Sequence, residues 1–186
     1  PMWKDAGIKV IPVVAAAVVL PAGYSLPGLN DSKKLTARKR KALYEALMSD
    51  SQVLKCVAQA SVEEIDRLNI LYATHLAMAR AAQGLEKPVD FCLIDGLPVP
   101  GFPLPSRSIV KGDARCLSIA AASVLAKVTR DRLMTELGRE FPQYGFEHHA
   151  GYGTKEHMQA IQRYGVTVYH RRSFAPVAQM SLPLGF

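Results

Sequence analysis

The chain has 186 residues, enough for one domain with a proper core, and its 49% hydrophobic and 21% charged residues are those of a globular protein. Lys and Arg outnumber Asp and Glu by 23 to 16, a formal charge of +7 with a pI ≈ 9.4. That excess points to a polyanionic partner, nucleic acid first, against the plainer reading of a merely basic protein. The three cysteines, Cys56, Cys92 and Cys116, sit widely spaced in apolar runs, which excludes a disulfide framework or zinc spacing and fits reduced, buried thiols in the cytoplasm.

Pro12 to Leu20 is a near-continuous apolar run closed by Pro21 and reads as a strand buried on both faces. It is far too short to span a bilayer, and no segment has the layout of a secretion signal. Pro27 to Ser32 is turn chemistry, followed by Lys33 and Lys34. A helix is expected from about Ala37 to Met48, capped by Thr36 and burying Leu43 and Leu47. Val53 to Ala60 reads as a strand. Ser61-Val62-Glu63-Glu64 is a capping box, so a helix starts there, with a break near Asn69 and a stop at Gly84. A strand ending at Asp95, a Pro/Gly-rich loop to Pro105 and a strand ending at Asp113 come next. Leu117 to about Arg139 is the longest expected helix, with small residues such as Ala121 and Ala122 able to pack closely on a sheet. Pro142, Gly145, Gly151 and Gly153 make the following stretch a loop, and Thr154 caps a short helix through Arg163. Interleaved strands and helices make the class α/β, a mixed sheet covered by helices; pattern alone leaves the strand order open.

Asp95 and Asp113 are the residues with chemistry to explain. Each closes a short stretch rich in branched or aromatic residues, so two carboxylates would meet at neighbouring strand tips. Like charges there repel, and either one carboxylate keeps a proton or a hard dication such as Mg²⁺ or Mn²⁺ binds both. Asp as an ordinary turn former is the competing reading. His148, His149 and His170 lack zinc-helix spacing and read as surface or loop residues.

Several long segments together resemble the bacterial ribonuclease HII family. They are Pro-Val-Val-Ala-Ala-Ala-Val-Val-Leu (12–20), Leu-Asn-Asp-Ser-Lys-Lys-Leu (29–35), Leu-Ile-Asp-Gly (93–96), Val-Lys-Gly-Asp-Ala (110–114), Ile-Ala-Ala-Ala-Ser-Val-Leu-Ala-Lys-Val-Thr-Arg-Asp (119–131), His-Ala-Gly-Tyr-Gly-Thr (149–154) and His-Arg-Arg-Ser-Phe (170–174). The resemblance implies a ribonuclease H-like fold: a mixed five-stranded sheet flanked by helices, with a helical C-terminal region, in one domain over 1–177 and a tail over 178–186. It implies a metal-dependent endoribonuclease that cleaves the RNA strand of RNA–DNA hybrids and incises at single ribonucleotides in DNA, leaving a 5′-phosphate and a 3′-hydroxyl.

The family's four carboxylates are Asp-Glu-Asp-Asp. The third and fourth fall on Asp95 and Asp113, as catalytic and metal-binding residues with Mg²⁺ or Mn²⁺, and Asp131 matches an additional acid beside the site. The first two belong to an Asp-Glu-Ala-Gly-Arg-Gly motif ahead of Pro12. Without gaps they fall on Met2 and Trp3; with a two-residue deletion Asp5 supplies at most one metal ligand. The Gly-Arg-Gly whose backbone senses the ribose 2′-hydroxyl is absent from either alignment. With the N-terminus as written, the expectation is a chain impaired in cleavage, or a non-catalytic hybrid-binding module tethered to a clamp; the plainer reading is a truncated, misread or altered N-terminus on an ordinary enzyme. The resemblance further assigns substrate contacts to Asn30, Ser32, Lys33 and Lys34 in the turn, with Arg171 adding to phosphate contacts. Tyr152 becomes a stacking face for the nucleotide after the ribonucleotide, the alternative being a core tyrosine. Ala150 stands where many relatives have Lys. In the tail, Gln179-Met180-Ser181-Leu182-Pro183-Leu184 is similar to the hexapeptide with which bacterial replication proteins bind the sliding clamp, anchored by Gln179, Leu182 and Leu184. The expected protein is a cytoplasmic monomer.

Overall fold

The computed structural model describes residues 12–173. Asp5 and the Gln179–Leu184 hexapeptide lie outside the described residues. Local sequence rules account for most element boundaries. β1 (Val13–Val19) follows the apolar run. α1 (Ala37–Ser49) begins where the Thr36 hydroxyl accepts from the Lys39 N–H at 3.3 Å, and it buries Leu43 and Leu47. β2 (Leu54–Ala60) leads into α2 (Val62–Gln83). The capping box forms in full there: the Ser61 N–H donates to Glu64 Oε2 at 2.9 Å while the Glu64 N–H donates to Ser61 Oγ at 3.2 Å.

α2 is two helical segments joined at Asn69, whose φ of 68° and ψ of 168° interrupt the helix. The Asn69 side chain then caps the second segment, accepting from the Leu71 and Tyr72 N–H groups at 2.9 and 3.2 Å. The helix stops at Gly84, where a Cβ would come within 2.6 Å of Cys56 Sγ. β3 (Cys92–Asp95) and β4 (Ser106–Ile109) are parallel, with Asp95 opposite Ile109. α3 (Leu117–Glu140) is the longest helix; α4 (Phe146–His149) is a single turn, and α5 (Lys155–Tyr164) starts at Thr154, whose hydroxyl accepts from the His157 N–H.

Four expectations are corrected. The strand before Asp113 ends at Ile109; Lys111 then takes a left-handed conformation (φ 56°) and Asp113 sits in a 3-10 turn, Gly112–Ala114. The stretch after Pro142 is not loop throughout but a 3-10 turn (Pro142–Tyr144) plus α4, because Tyr144, Phe146 and His149 are buried and fix the backbone between the glycines. β1 is half-buried rather than buried on both faces, with Ala15 its most enclosed residue, and the three thiols are likewise half-buried. Among the described residues the strands pair as β1–β2 and β3–β4, and no helix is long and apolar enough to cross a membrane.

The chain groups into two compact units. One, Val14–Gln59 with Thr74–Thr129, has a core of Leu43, Leu47, Val53, Ala121, Val124, Leu125 and Val128. The small-residue face of α3 lets Ala121 and Val124 lie fully enclosed there. The other, Ala60–Ala73 with the described residues from Arg130 to Ser173, is built on Met134, Leu137, Tyr144, Phe146, Ala160 and Ile161. Its aromatic rings interlock, Tyr144 stacking on Phe146 with centroids 5.3 Å apart.

Candidate active site

Asp95 and Asp113 belong to the first unit. Asp95 ends β3 with its side chain exposed, and one of its carboxylate oxygens accepts from the Gly112 N–H at 2.7 Å. This bond ties the tip of β3 to the 3-10 turn that carries Asp113. Gly112 is needed for it: a Cβ there would stand 3.2 Å from Asp95 Oδ1 and 2.6 Å from Ile119 Cδ1. The turn continues into α3 as the Cys116 N–H donates to the Gly112 carbonyl at 2.8 Å. Asp113 is only 7% exposed. Burial raises its pKa, and the neighbouring carboxylates of Asp95 and Asp31 raise it further, Lys33 partly offsetting them.

Asp31 is the acid that pattern reading passed over as a turn former. It is one: its Oδ1 accepts from the Lys33 N–H at 2.9 Å. It also stands beside Asp113, where its charge helps to raise the Asp113 pKa. Only the tertiary structure brings position 31 to position 113. Asn30 Oδ1 accepts from the Asp31 N–H at 2.7 Å and tightens the same turn. Ser32 is buried, its hydroxyl paired with that of Ser123 at 2.7 Å and its carbonyl accepting from the Arg40 guanidinium at 2.7 Å. Ser32 thus fastens the turn to α3 and α1 while Lys33 and Lys34 stay exposed.

This donor set suits a hard dication. Carboxylate oxygens gather at one edge, and the raised pKa of Asp113 reflects the crowding of negative charge that a metal would neutralise. Among the described residues no three His, Cys, Asp or Glu side chains are arranged around one ion position.

The remaining expected site residues lie in the second unit. Asp131 is on α3, where its carbonyl accepts from Thr135 Oγ1 at 3.1 Å. Tyr152 is 42% exposed, which removes the core reading, and the Arg130 guanidinium stands 5.5 Å from its ring centroid. Arg171 faces inward: burial, with Arg130 beside it, lowers its pKa to about 10, Asp66 acting in the opposite direction, so it stays charged near neutral pH. His149 and His170 are buried, not at the surface as expected, because each ring nitrogen has a partner inside the fold; His148 is exposed, within 3.6 Å of Glu156. His157, which sequence reading missed, is fully enclosed. Its signal was positional, three residues after the capping Thr154 on the inner face of α5.

Against known proteins, residues 7–177 match the family model described as Ribonuclease HII. The chain is 57% identical over 167 residues to a Ribonuclease HII of Ruegeria pomeroyi, covering 89% of this chain and 70% of that one. It is 56% identical over 169 residues to a Ribonuclease HII of Geobacillus kaustophilus, spanning 91% of this chain but 64% of the relative's length. Its fold matches the crystal structure of the ribonuclease H2 from Pyrococcus horikoshii OT3, with a TM-score of 0.77 at 21% identity over 94% of this chain and 92% of that one. The structure of the PCNA:RNase HII complex from Archaeoglobus fulgidus gives a TM-score of 0.73 at 22% identity, covering 96% and 94%.

Proposed function

The chain belongs to the ribonuclease HII family, a family of ribonuclease H-type hydrolases, and from that premise we propose that it is an endonuclease cleaving the RNA strand of RNA–DNA hybrids and incising at single ribonucleotides in duplex DNA. The observation that carries this reading is the buried carboxyl of Asp113 beside Asp95 and Asp31, whose mutual repulsion a divalent cation relieves. Asp95 and Asp113 would hold Mg²⁺ or Mn²⁺, which when bound lowers the pKa of an attacking water and offsets charge on the phosphate. Gly112 aims the Asp95 carboxylate, and Asn30 and Ser32 hold the turn from which Lys33 and Lys34 meet backbone phosphates. Tyr152 offers a face for a base, and Arg171 adds positive charge behind it. Asp131 is proposed to act from outside the metal ligands, and Asp5 as an extra ligand. The setting is cytoplasmic.

Residues 1–11 hold one carboxylate, Asp5, where the resemblance implies two, which an ungapped count back from Pro12 sets at Met2 and Trp3. That observation favours a second reading, a hybrid-binding module with little incision. One experiment separates the two. A duplex holding one ribonucleotide is incubated with Mg²⁺ or Mn²⁺ and the chain, its Asp113→Asn variant, and a Met2→Asp/Trp3→Glu variant. Incision abolished by Asp113→Asn and accelerated at least tenfold by the restored acids supports the enzyme; tight binding with no incision by any of the three supports the binding module.

For the tail, the Archaeoglobus protein's structure with PCNA and the Gln179–Leu184 sequence support a sliding-clamp partner. Deleting Gln179 to Phe186 should abolish retention on immobilised bacterial clamp; unchanged retention removes that partner.

A further inference from the structure

The backbone beneath Tyr152 is held by side chains at three consecutive residues. The Ala150 carbonyl accepts from Arg130 Nη2 at 3.2 Å, the Gly151 N–H donates to His149 Nδ1 at 3.2 Å, and the Tyr152 carbonyl meets His157 Nδ1 at 2.9 Å. Ala150 and Gly151 are both left-handed, with φ of 49° and 73°. For alanine that conformation is costly and persists only where the surroundings impose it.

The hydrogen bonds assign the ring proton of each of His149, His157 and His170. The Thr167 N–H donates to His170 Nδ1 at 2.9 Å, so that nitrogen carries a lone pair and the proton is on Nε2. His170 Nε2 lies 3.2 Å from His157 Nε2, which therefore accepts. The His157 proton is then on Nδ1 and is donated to the Tyr152 carbonyl. His149 accepts from Gly151 at Nδ1 and donates from Nε2 to the Tyr144 carbonyl at 2.7 Å. His149 also stacks on His157 with centroids 4.6 Å apart. His157 and His170 are 0% and 1% exposed, so neither can reach a substrate.

We propose that His149, His157 and His170 form a neutral imidazole clamp that positions Tyr152 for stacking on a nucleic-acid base, a specificity device acting through backbone rather than by contact. The inference rests on the reading of Tyr152 as a stacking face. A tyrosine held on a rigid turn loses little freedom on binding, so stacking energy is not consumed in ordering the loop. Packing alone would place three histidines in an aromatic core; it would not require two of them to bond the backbone of the turn that bears an exposed ring, with the third fixing the tautomer of one of them.

The test is binding of a fluorescently labelled duplex containing one ribonucleotide, read by anisotropy without divalent metal, so that cleavage does not enter. Tyr152→Ala should weaken binding about tenfold. His157→Phe, which keeps a ring but removes both hydrogen bonds, should weaken it about fivefold to tenfold, and adding it to Tyr152→Ala should cost nothing more. His157→Asn, whose amide N–H can stand where Nδ1–H stood, should restore most of the loss. Amide exchange at Ala150–Gly153 should quicken in His157→Phe and recover in His157→Asn. Additive losses in the double variant, or no recovery with Asn, overturn the clamp. If Tyr152→Ala binds like the parent, the stacking role itself fails, an outcome distinct from failure of the clamp. Should His157→Phe not fold, the comparison of His157→Asn with the parent decides: binding within twofold upholds the clamp, and a tenfold loss with native exchange in the turn overturns it.

Discussion

Gly112→Ala tests the link between the two acids most directly. The added methyl would lie 2.6 Å from Ile119 Cδ1, 3.2 Å from Asp95 Oδ1 and 3.4 Å from Ile109 Cβ. Ile119 Cδ1 is a side-chain terminus and can rotate aside for about 0.5–1.5 kcal/mol, but Ile119 is buried and its new rotamer needs room. Asp95 must then retreat from the Gly112 N–H, weakening a charge-assisted hydrogen bond whose net worth is about 1.5–3 kcal/mol. Against this, alanine restricts the unfolded chain, a gain of about 0.4–1 kcal/mol. The clash wins, with a net loss of about 1–2 kcal/mol, or a fall of about 2–8 °C in Tm for a chain of this size. Displacing Asp95 by a fraction of an ångström should cost incision about tenfold or more, measured in the Met2→Asp/Trp3→Glu background so that the rate is well determined. Melting by circular dichroism and single-turnover incision read both effects. A variant that melts within about 1 °C of its parent and incises at the parent's rate would refute the claim that Gly112 sets the Asp95 carboxylate.

Asp113→Asn should abolish incision yet stabilise the metal-free protein. The Asp113 pKa is raised in the fold, so its ionised form costs stability once pH rises through that value; the amide removes the charge, and Tm in EDTA should rise by about 2–4 °C for each kcal/mol relieved. Mg²⁺ should raise the parent's Tm and leave the variant's unchanged. The histidine clamp sets the acid limb. Burial holds His157 and His170 at about 4, against 6.5 for a free imidazole. The folded protein therefore binds fewer protons than the unfolded chain between those values. Its stability should be complete above about pH 6.5 and fall as pH drops toward 4, by up to about 3 kcal/mol per imidazole. Urea midpoints from pH 7.5 to 4.5 check this; a flat profile would show that the rings accept protons in the fold.

Local rules carried far along this chain. Thr36, Ser61 and Thr154 each announced a helix start that the structure supplies, Asn69 announced the break, and Gly84 the stop, because caps and left-handed turns depend on neighbours a few residues away. The family could be read from segments spread over residues 12–174, and the family model matches 7–177. What failed was whatever depended on distant partners. A β-rich run before Asp113 looked like strand, but the pairing of β4 with β3 ends at Ile109, and Lys111 and Gly112 turn the chain so that Asp113 faces Asp31. A different miss concerned His149 and His170, read as surface or loop residues because a polar ring carries no mark of burial in sequence; their partners Tyr144, Gly151 and Thr167 are close in the chain, but only the packed core encloses the rings. The sequence by itself determined which residues begin and end helices, which apolar runs make a core, and which carboxylates are available. Tertiary structure alone decided that Asp31 stands beside Asp113. That approach joins positions far apart in the chain, where no local propensity acts and only packing brings the groups together.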